Sequence, residues 1–175
     1  GVLFGYGTPA GGPVPPPLAA DGDSVTGFPD GAGSLRDAGV QFEMLTVGSG
    51  EAALEQMLQA QLQAAGVRAE IRQLELSAYL DRVEGPGHDF QAAVLGVSGD
   101  LGLGHLARIA GLAGLRPDGS SEQLLHRIRD SVPAVFLYHA RGVQGVNRRV
   151  RGIRMDLRGE LVTLSRWWVD GGRDP

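Results

Sequence analysis

Hydrophobic residues in the first half of the chain follow two spacings, one typical of strands and one typical of a helix. Residues 42–47 form a short apolar run, and residues 67–75 place apolar side chains between charged ones, as a half-exposed strand does. Between these runs, apolar side chains recur at intervals of three and four, at Leu54, Met57, Leu58 and Leu62. The pattern predicts a strand, a helix over residues 50–65 and a second strand parallel to the first.

Local signals mark the ends of this helix. Ser49 is the predicted N-cap, Glu51 lies favourably in the first turn, and Gly66 supplies the stop. The apolar phase then shifts at Leu74 and Leu76, which predicts a bulge or bend in the second strand.

The rest of the chain continues the alternation. Further helices are predicted over residues 77–83, 101–112 and 121–131, and further strands over residues 90–97, 134–140 and 150–155, the last of them near 134–140. We expect the strands at 41–47, 67–75, 90–97 and 134–140 to share one sheet, with the two most apolar, 90–97 and 134–140, at its centre. This arrangement is an α/β fold, a mixed and mostly parallel sheet with flanking helices.

Composition divides the chain into three regions. Residues 1–39 are dense in Gly and Pro, and Pro15, Pro16 and Pro17 favour polyproline II, so we expect an extended crossing segment on the surface. Residues 40–147 carry the α/β pattern, and residues 148–175 carry the last strand patterns of the chain.

Charge and cysteine content exclude several functions. The chain of 175 residues has a net charge of −4, which argues against a nucleic-acid partner because phosphate binding requires clustered positive charge. It contains no Cys, which excludes thiolate catalysis, disulfides and Cys-based zinc sites. We expect no catalytic residues, no metal and no cofactor.

One glycine motif keeps an enzymatic alternative open. Gly48-x-Gly50-x-x-Ala53 fits the pattern that begins a dinucleotide-binding unit. Glu51 places a carboxylate where a pyrophosphate needs positive potential, and Glu70 and Glu75 are poorly placed to bind a ribose. A plain turn from strand to helix is the favoured interpretation, and a small nucleotide-binding α/β enzyme is the alternative.

Candidate ligand-binding residues follow two predicted strands. Asp100 comes just after the strand at 90–97, beside Gly99, where a lone carboxylate can bind a cationic group or instead cap a helix. His139 ends the strand at 134–140 and Arg141 follows it, at a position where α/β proteins display ligand groups. The histidines at 88, 105 and 126 are interpreted as surface or hydrogen-bonded residues. We expect Asp100 to lie within reach of His139 or Arg141.

Four segments, in order, resemble the later part of the family-5 extracellular solute-binding proteins, the oligopeptide, dipeptide and nickel receptors of ABC importers. They are "GTPAGGPVPPPL", "QFEMLTVGSGEAALEQMLQAQLQAAGVRAEIRQLELSAYLDRV", "HDFQAAVLGVSGD" and "VPAVFLYHARGVQGVNRRVRGI". The resemblance touches most of the chain, and its long second segment is the most specific. It implies that Gly48-Ser49-Gly50 is a turn into a helix and binds no phosphate.

The resemblance also implies a fold, a site and partners. The chain would be the second lobe of a periplasmic-binding-protein-like (class II) fold, with Asp100 facing a ligand ammonium group. Residues 40–147 would be the ligand-binding lobe, and residues 148–175 would be strands that return toward the hinge or the first lobe. Val97 stands where the family has Trp, which weakens any stacking subsite, and a helix that the family carries before residue 42 has no counterpart.

The implied partners are a small-molecule or peptide ligand, an ABC permease and an N-terminal lobe missing from this chain. The implied location is periplasmic or extracytoplasmic, and a lipid-anchored full-length protein is one of the implied possibilities. The departures from the family pattern, Val97 and the absent helix, leave a further alternative open. In it the chain is an interaction module derived from a binding protein.

Overall fold

The computed structural model describes residues 5, 7–16, 18–19, 39–48, 50–155, 159 and 161–171. Its strands and helices follow the order β1 (Gly7–Pro9), β2 (Gln41–Val47), α1 (Ala53–Ala64), β3 (Arg68–Leu74), α2 (Leu76–Val83), β4 (Ala92–Ala93), α3 (His105–Leu112), α4 (Ser121–Ser131), β5 (Tyr138–Ala140), β6 (Val150–Arg151), a 3-10 helix (Leu164–Arg166) and β7 (Trp168–Val169). The predicted N-cap Ser49, Pro17 and most of the Gly/Pro-rich segment lie outside the described residues.

A parallel sheet in the order β3-β2-β4 forms the centre of the α/β unit. β2 pairs with β3 over seven consecutive positions, from Gln41 opposite Arg68 to Val47 opposite Leu74. This confirms the predicted strand, helix and parallel strand, and with them the α/β class. The predicted bulge is wrong, because the register of β2 and β3 runs without interruption to Leu74, and Leu76 already belongs to α2.

β4 is much shorter than the predicted strand at 90–97 and lies at the edge of this sheet. Only Met44–Ala92 and Leu45–Ala93 are paired, and the Val94 amide adds one hydrogen bond to the Leu45 carbonyl. The Gln91 side-chain oxygen accepts from the Glu43 amide at 2.7 Å, a place that a strand carbonyl takes in a longer ladder. The central strand is β2, whose Leu45 is fully buried.

β5 does not join the parallel sheet, so the prediction of four strands in one sheet is wrong. β5 pairs antiparallel with β1, with Thr8 opposite His139. The Gly/Pro-rich segment thus supplies the backbone partner for this strand, and the Ala10 amide extends the pairing to the Leu137 carbonyl. Residues 150–151 also pair elsewhere, with β7.

The helix ends follow local chemistry. α1 begins at Ala53 with Ala52 as its N-cap, so Glu51 precedes the helix and the acid in its first turn is Glu55. Gly66, with φ of +90°, ends this helix as predicted.

The predicted helix over 121–131 is confirmed. Its N-terminus has a complete capping box, in which Ser120 and Gln123 exchange side-chain and backbone hydrogen bonds. Pro133 follows directly after Val132, the residue that ends the helix in the left-handed region.

Buried side chains form two clusters. The sheet cluster consists of Leu45, Tyr79 and Val83, and the helix cluster joins α3 and α4 through Leu106, Ile109, Ala110, Leu124, Leu125 and Ile128, together with Val14. Because Val14 is buried, the first region of the chain is not only a surface segment. α1 has no fully buried residue, and Met57, expected in the core, is 39% exposed.

Candidate functional site

The Asp100 carboxylate lies over the N-terminus of α3. Its Oδ1 accepts a hydrogen bond from the Gly104 amide and its Oδ2 one from the His105 amide, both at 3.2 Å. These are amides that the helix itself leaves without a partner, and a negative charge at this end of a helix is stabilised by the helix dipole. The carboxylate is therefore held in one orientation, and it bonds the first amides of α3 as in the helix-capping alternative for Asp100.

Glycines in the loop make room for this arrangement. A Cβ placed on Gly102 or on Gly104 would lie 3.1 Å from a carboxylate oxygen of Asp100. The Leu103 amide bonds to the Asp100 carbonyl, and Leu103 has a φ of +58°, which delays the start of the helix to residue 105. The predicted helix over 101–112 is therefore four residues too long at its N-terminus.

Asp100 combines ionisation with access to solvent. The hydrogen bond from the Gly104 amide is the main cause of a lowered pKa for the Asp100 carboxyl. Its side chain is 55% exposed. The loop thus presents an oriented, negatively charged group to solvent, which is suited to binding a cation.

Beneath the carboxylate lies a buried histidine. The His105 side chain is 4% exposed, and its Nε2 lies 3.1 Å from the Pro13 carbonyl oxygen. Its Nδ1 lies 3.9 Å from Asp100 Oδ2, a distance within the range of ion pairs but too long for a hydrogen bond. Gly99 lies against the ring, because a Cβ at this position would be 3.6 Å from Nδ1.

A second polar group lies on the ribbon of β1 and β5. The Arg141 guanidinium donates from Nε and Nη2 to Thr8 Oγ1, at 3.3 and 3.2 Å. His139 pairs with Thr8 across the ribbon, and its Nε2 is buried without a hydrogen-bond partner in the described part of the chain. Thr8 and Pro13 are five residues apart, so their backbone atoms lie within about 18 Å even if the segment is fully extended.

The predicted site residues thus fall into separate groups. Gly99 and Asp100 lie with His105 and Pro13, while His139 and Arg141 lie with Thr8. The contacts of the Asp100 carboxylate are with its own loop and the start of α3, at Gly102, Gly104 and His105. Val97 is half-buried against the helix cluster. The ligand-binding role of all five predicted residues stays a prediction.

His105, Pro13 and Thr8 were not selected by sequence reasoning. The one signal for His105 was its position five residues after Asp100, at the start of an apolar helical pattern. Nothing in the sequence placed Pro13 against it, because the two are 92 residues apart in the chain.

The glycine turn before α1 carries features unfavourable to a phosphate. Thr46 donates from Oγ1 to Glu55 Oε1 at 2.5 Å, which holds a carboxylate between the end of β2 and the first turn of α1. The Gly50 carbonyl accepts a hydrogen bond from Gln73 at 2.8 Å. A negative group in the first turn opposes the positive potential on which phosphate binding at a helix N-terminus depends.

The described residues contain no group of three or more His, Asp or Glu placed to hold a metal ion. None of their helices is both long and apolar enough to cross a bilayer.

No protein-family model and no curated protein sequence matches the chain. Among solved structures, it is similar to the oligopeptide-binding protein AppA from Bacillus subtilis, solved in complex with a nonapeptide. The two share 18% sequence identity with a TM-score of 0.41, and the match covers 74% of this chain but 31% of that one. The chain spans less than a third of that protein's length, and a likeness of this size carries no argument about what the chain binds.

Proposed function

We propose that the chain is a ligand-binding α/β lobe of a solute receptor, which captures a peptide-like solute together with a first lobe and delivers it to an ABC permease. The observation that carries this proposal is the Asp100 carboxylate, which is ionised, half exposed and oriented by two backbone amides. The resemblance of four sequence segments to the family-5 receptors supports the choice of ligand and partners. A receptor of this kind acts outside the cytoplasm, in the periplasm or anchored by lipid.

The charges of the site fit the two ends of a short peptide. The Asp100 carboxylate suits a ligand ammonium, because charge-assisted hydrogen bonds between such groups are among the stronger polar contacts. The Arg141 guanidinium, oriented by Thr8 on the β1–β5 ribbon, suits a ligand carboxylate. A peptide that spans the two groups would lie over the segment from Thr8 to Pro13.

The test is a two-dimensional NMR titration of the chain with trialanine at millimolar concentration, which detects weak binding. We expect trialanine to shift the amide signals of residues 99–105. Asp100→Asn should weaken the binding about twofold to fivefold, the size of the effect of a charge pair that remains exposed to solvent. In a closed two-lobed receptor the same pair is shielded, and the loss should be larger.

The matched control is Asp89→Asn. Asp89 is also an exposed carboxylate with a basic partner, Arg82, but it precedes β4 whereas Asp100 follows it. Equal effects of the two variants, or no shift of residues 99–105, would remove the basis of the proposal.

A second candidate function is an interaction module derived from a binding protein. It is favoured by the apolar surface of residues 135–169. Large apolar side chains stay exposed there, including Val135 at 70%, Val143 at 64% and Trp168 at 56%. This candidate predicts that the chain binds no peptide and that Trp168→Ser lowers its association with a partner. Binding of trialanine that survives Trp168→Ser would favour the receptor over the module.

A further inference from the structure

His105 has one ring nitrogen with a partner and one without. Because a carbonyl oxygen can only accept, the 3.1 Å contact with the Pro13 carbonyl requires a proton on Nε2. In the neutral ring Nδ1 is then an acceptor, and it is buried without a hydrogen-bond partner in the described part of the chain. A buried acceptor without a partner is unfavourable, and burial also disfavours a charged ring, so the protonation state of the ring depends on whether a partner for an Nδ1 proton lies nearby.

The group nearest to this nitrogen is also an acceptor. Asp100 Oδ2 lies 3.9 Å from Nδ1, and both carry lone pairs when the ring is neutral and the carboxyl ionised. A proton on Nδ1 would turn this unfavourable contact into an ion pair, with a shift of under 1 Å needed for a hydrogen bond. The geometry therefore favours proton uptake by the ring at the position where Asp100 lies.

Resting on the proposed function, we propose that His105 is a positioning residue for Asp100, and that protonation of its Nδ1 draws the carboxylate toward the ring and weakens the binding of a cationic ligand. In this step one proton moves from the solvent onto Nδ1, and the N–H bond is the one covalent bond formed. Two positive groups, the imidazolium and the ligand ammonium, then compete for one carboxylate. Acidification would release the ligand, and binding of the ligand would oppose protonation.

The surroundings of His105 make Asp100 the partner of this proton. Among the described residues, Asp100 is the charged group placed within ion-pair distance of the ring, and the segment on the other side contributes the uncharged Pro13 carbonyl. Gly99 packs against the ring without a side chain. Hydrogen bonds from backbone amides lower the pKa of the Asp100 carboxyl, so the carboxylate stays ionised when the ring takes up the proton.

The first arm of the test reads the ring directly. Nitrogen-15 NMR of the His105 imidazole should show a proton on Nε2 alone at pH 8 and protons on both nitrogens at pH 5. The Nδ1 proton should exchange slowly with water because the side chain is buried. A ring that keeps Nδ1 unprotonated at pH 5 in the folded chain overturns the inference, whatever the chain binds.

The second arm measures trialanine binding at pH 7, where the amino terminus of the peptide is still mostly protonated, and at pH 5, in the wild-type chain, in His105→Gln and in His126→Gln. We expect the wild type and His126→Gln, an exposed histidine of α4, to bind about twofold to fivefold more weakly at pH 5, the size of one exposed charge pair. His105→Gln keeps a side-chain N–H for Pro13 but takes up no proton, so its affinity should not change with pH. A similar fall in His105→Gln would overturn the inference.

The two arms separate this inference from the proposed function. If the ring is doubly protonated at pH 5 and trialanine binds at neither pH, the proposed function fails while the pairing of His105 with Asp100 is upheld. If trialanine binds equally at both pH values, the receptor function stands and the proton-linked release is refuted.

Discussion

Leu45 is the side chain whose removal should most damage the parallel sheet. It lies on the central strand β2, is 0% exposed, and packs in the sheet cluster with Tyr79 and Val83. Leu45→Ala removes three buried carbons at about 0.8 kcal/mol each and leaves a cavity, which together give an expected loss of about 2–5 kcal/mol in the free energy of unfolding. That is a large part of the roughly 5–15 kcal/mol typical of a folded domain.

The assay is urea unfolding followed by circular dichroism, with Val47→Ala as the matched control. Val47 is on the same strand but is 44% exposed, so its truncation should cost well under half as much. The slope of the free energy against urea should be the same in both variants, since the surface exposed on unfolding hardly changes. Equal losses in the two variants would contradict the placement of β2 at the centre of the sheet.

Three further predictions address other parts of the molecule. Ser120→Ala removes the capping box of α4 and should cost about 0.5–2 kcal/mol in chemical unfolding, whereas Ser131→Ala at the other end of the helix should change stability by less than about 0.5 kcal/mol; equal losses would contradict the cap. Tyr79→Phe removes the hydrogen bond to the Val94 carbonyl and should cost about 0.5–1.5 kcal/mol, and an unchanged stability would show that this bond contributes nothing. The hydrogen bond from Arg72 lowers the pKa of Glu43 from 4.5, so the contribution of Glu43 to stability is present above pH 4.5 and is lost as the pH falls through the lower pKa of the folded state. Glu43→Gln should therefore flatten the acid side of a plot of unfolding free energy against pH. A plot of unchanged shape would refute this.

The parts of the fold that the sequence predicted are those set by local signals. The strand at 41–47, the helix at 121–131 and the stop at Gly66 all depend on spacing, caps and backbone preferences within a few residues. The α/β fold class followed from the same signals, because a strand, an amphipathic helix and a second strand in this order favour a parallel pair of strands.

The wrong predictions concern strands whose pairing depends on residues distant in sequence, or on a side chain that takes the place of a backbone carbonyl in the ladder. β5 was assigned to the main sheet because it is apolar, but its partner is β1, more than a hundred residues earlier. On the N-terminal side of β4 the Gln91 side chain takes a position of the ladder, and no periodicity signals that. Both cases show tertiary contacts overriding a local pattern.

The candidate site was predicted in part for the same reason. Asp100 could be selected because it follows an apolar run in a Gly-rich loop. Its orientation depends on the helix that begins at His105, and the burial of His105 depends on Pro13 from the start of the chain. These contacts arise only when the first region folds against α3.

The role of Asp100 is tested best by changing the ligand instead of the protein. Trialanine and its N-acetylated form differ at the amino terminus, where the first carries the ammonium group proposed to face Asp100. We expect trialanine to shift the amide signals of residues 99–105 at pH 7, where its amino terminus is mostly protonated, and the acetylated peptide to shift them far less at the same concentration. Equal shifts by the two peptides would contradict the account, because the Asp100 carboxylate would then not be binding an ammonium group.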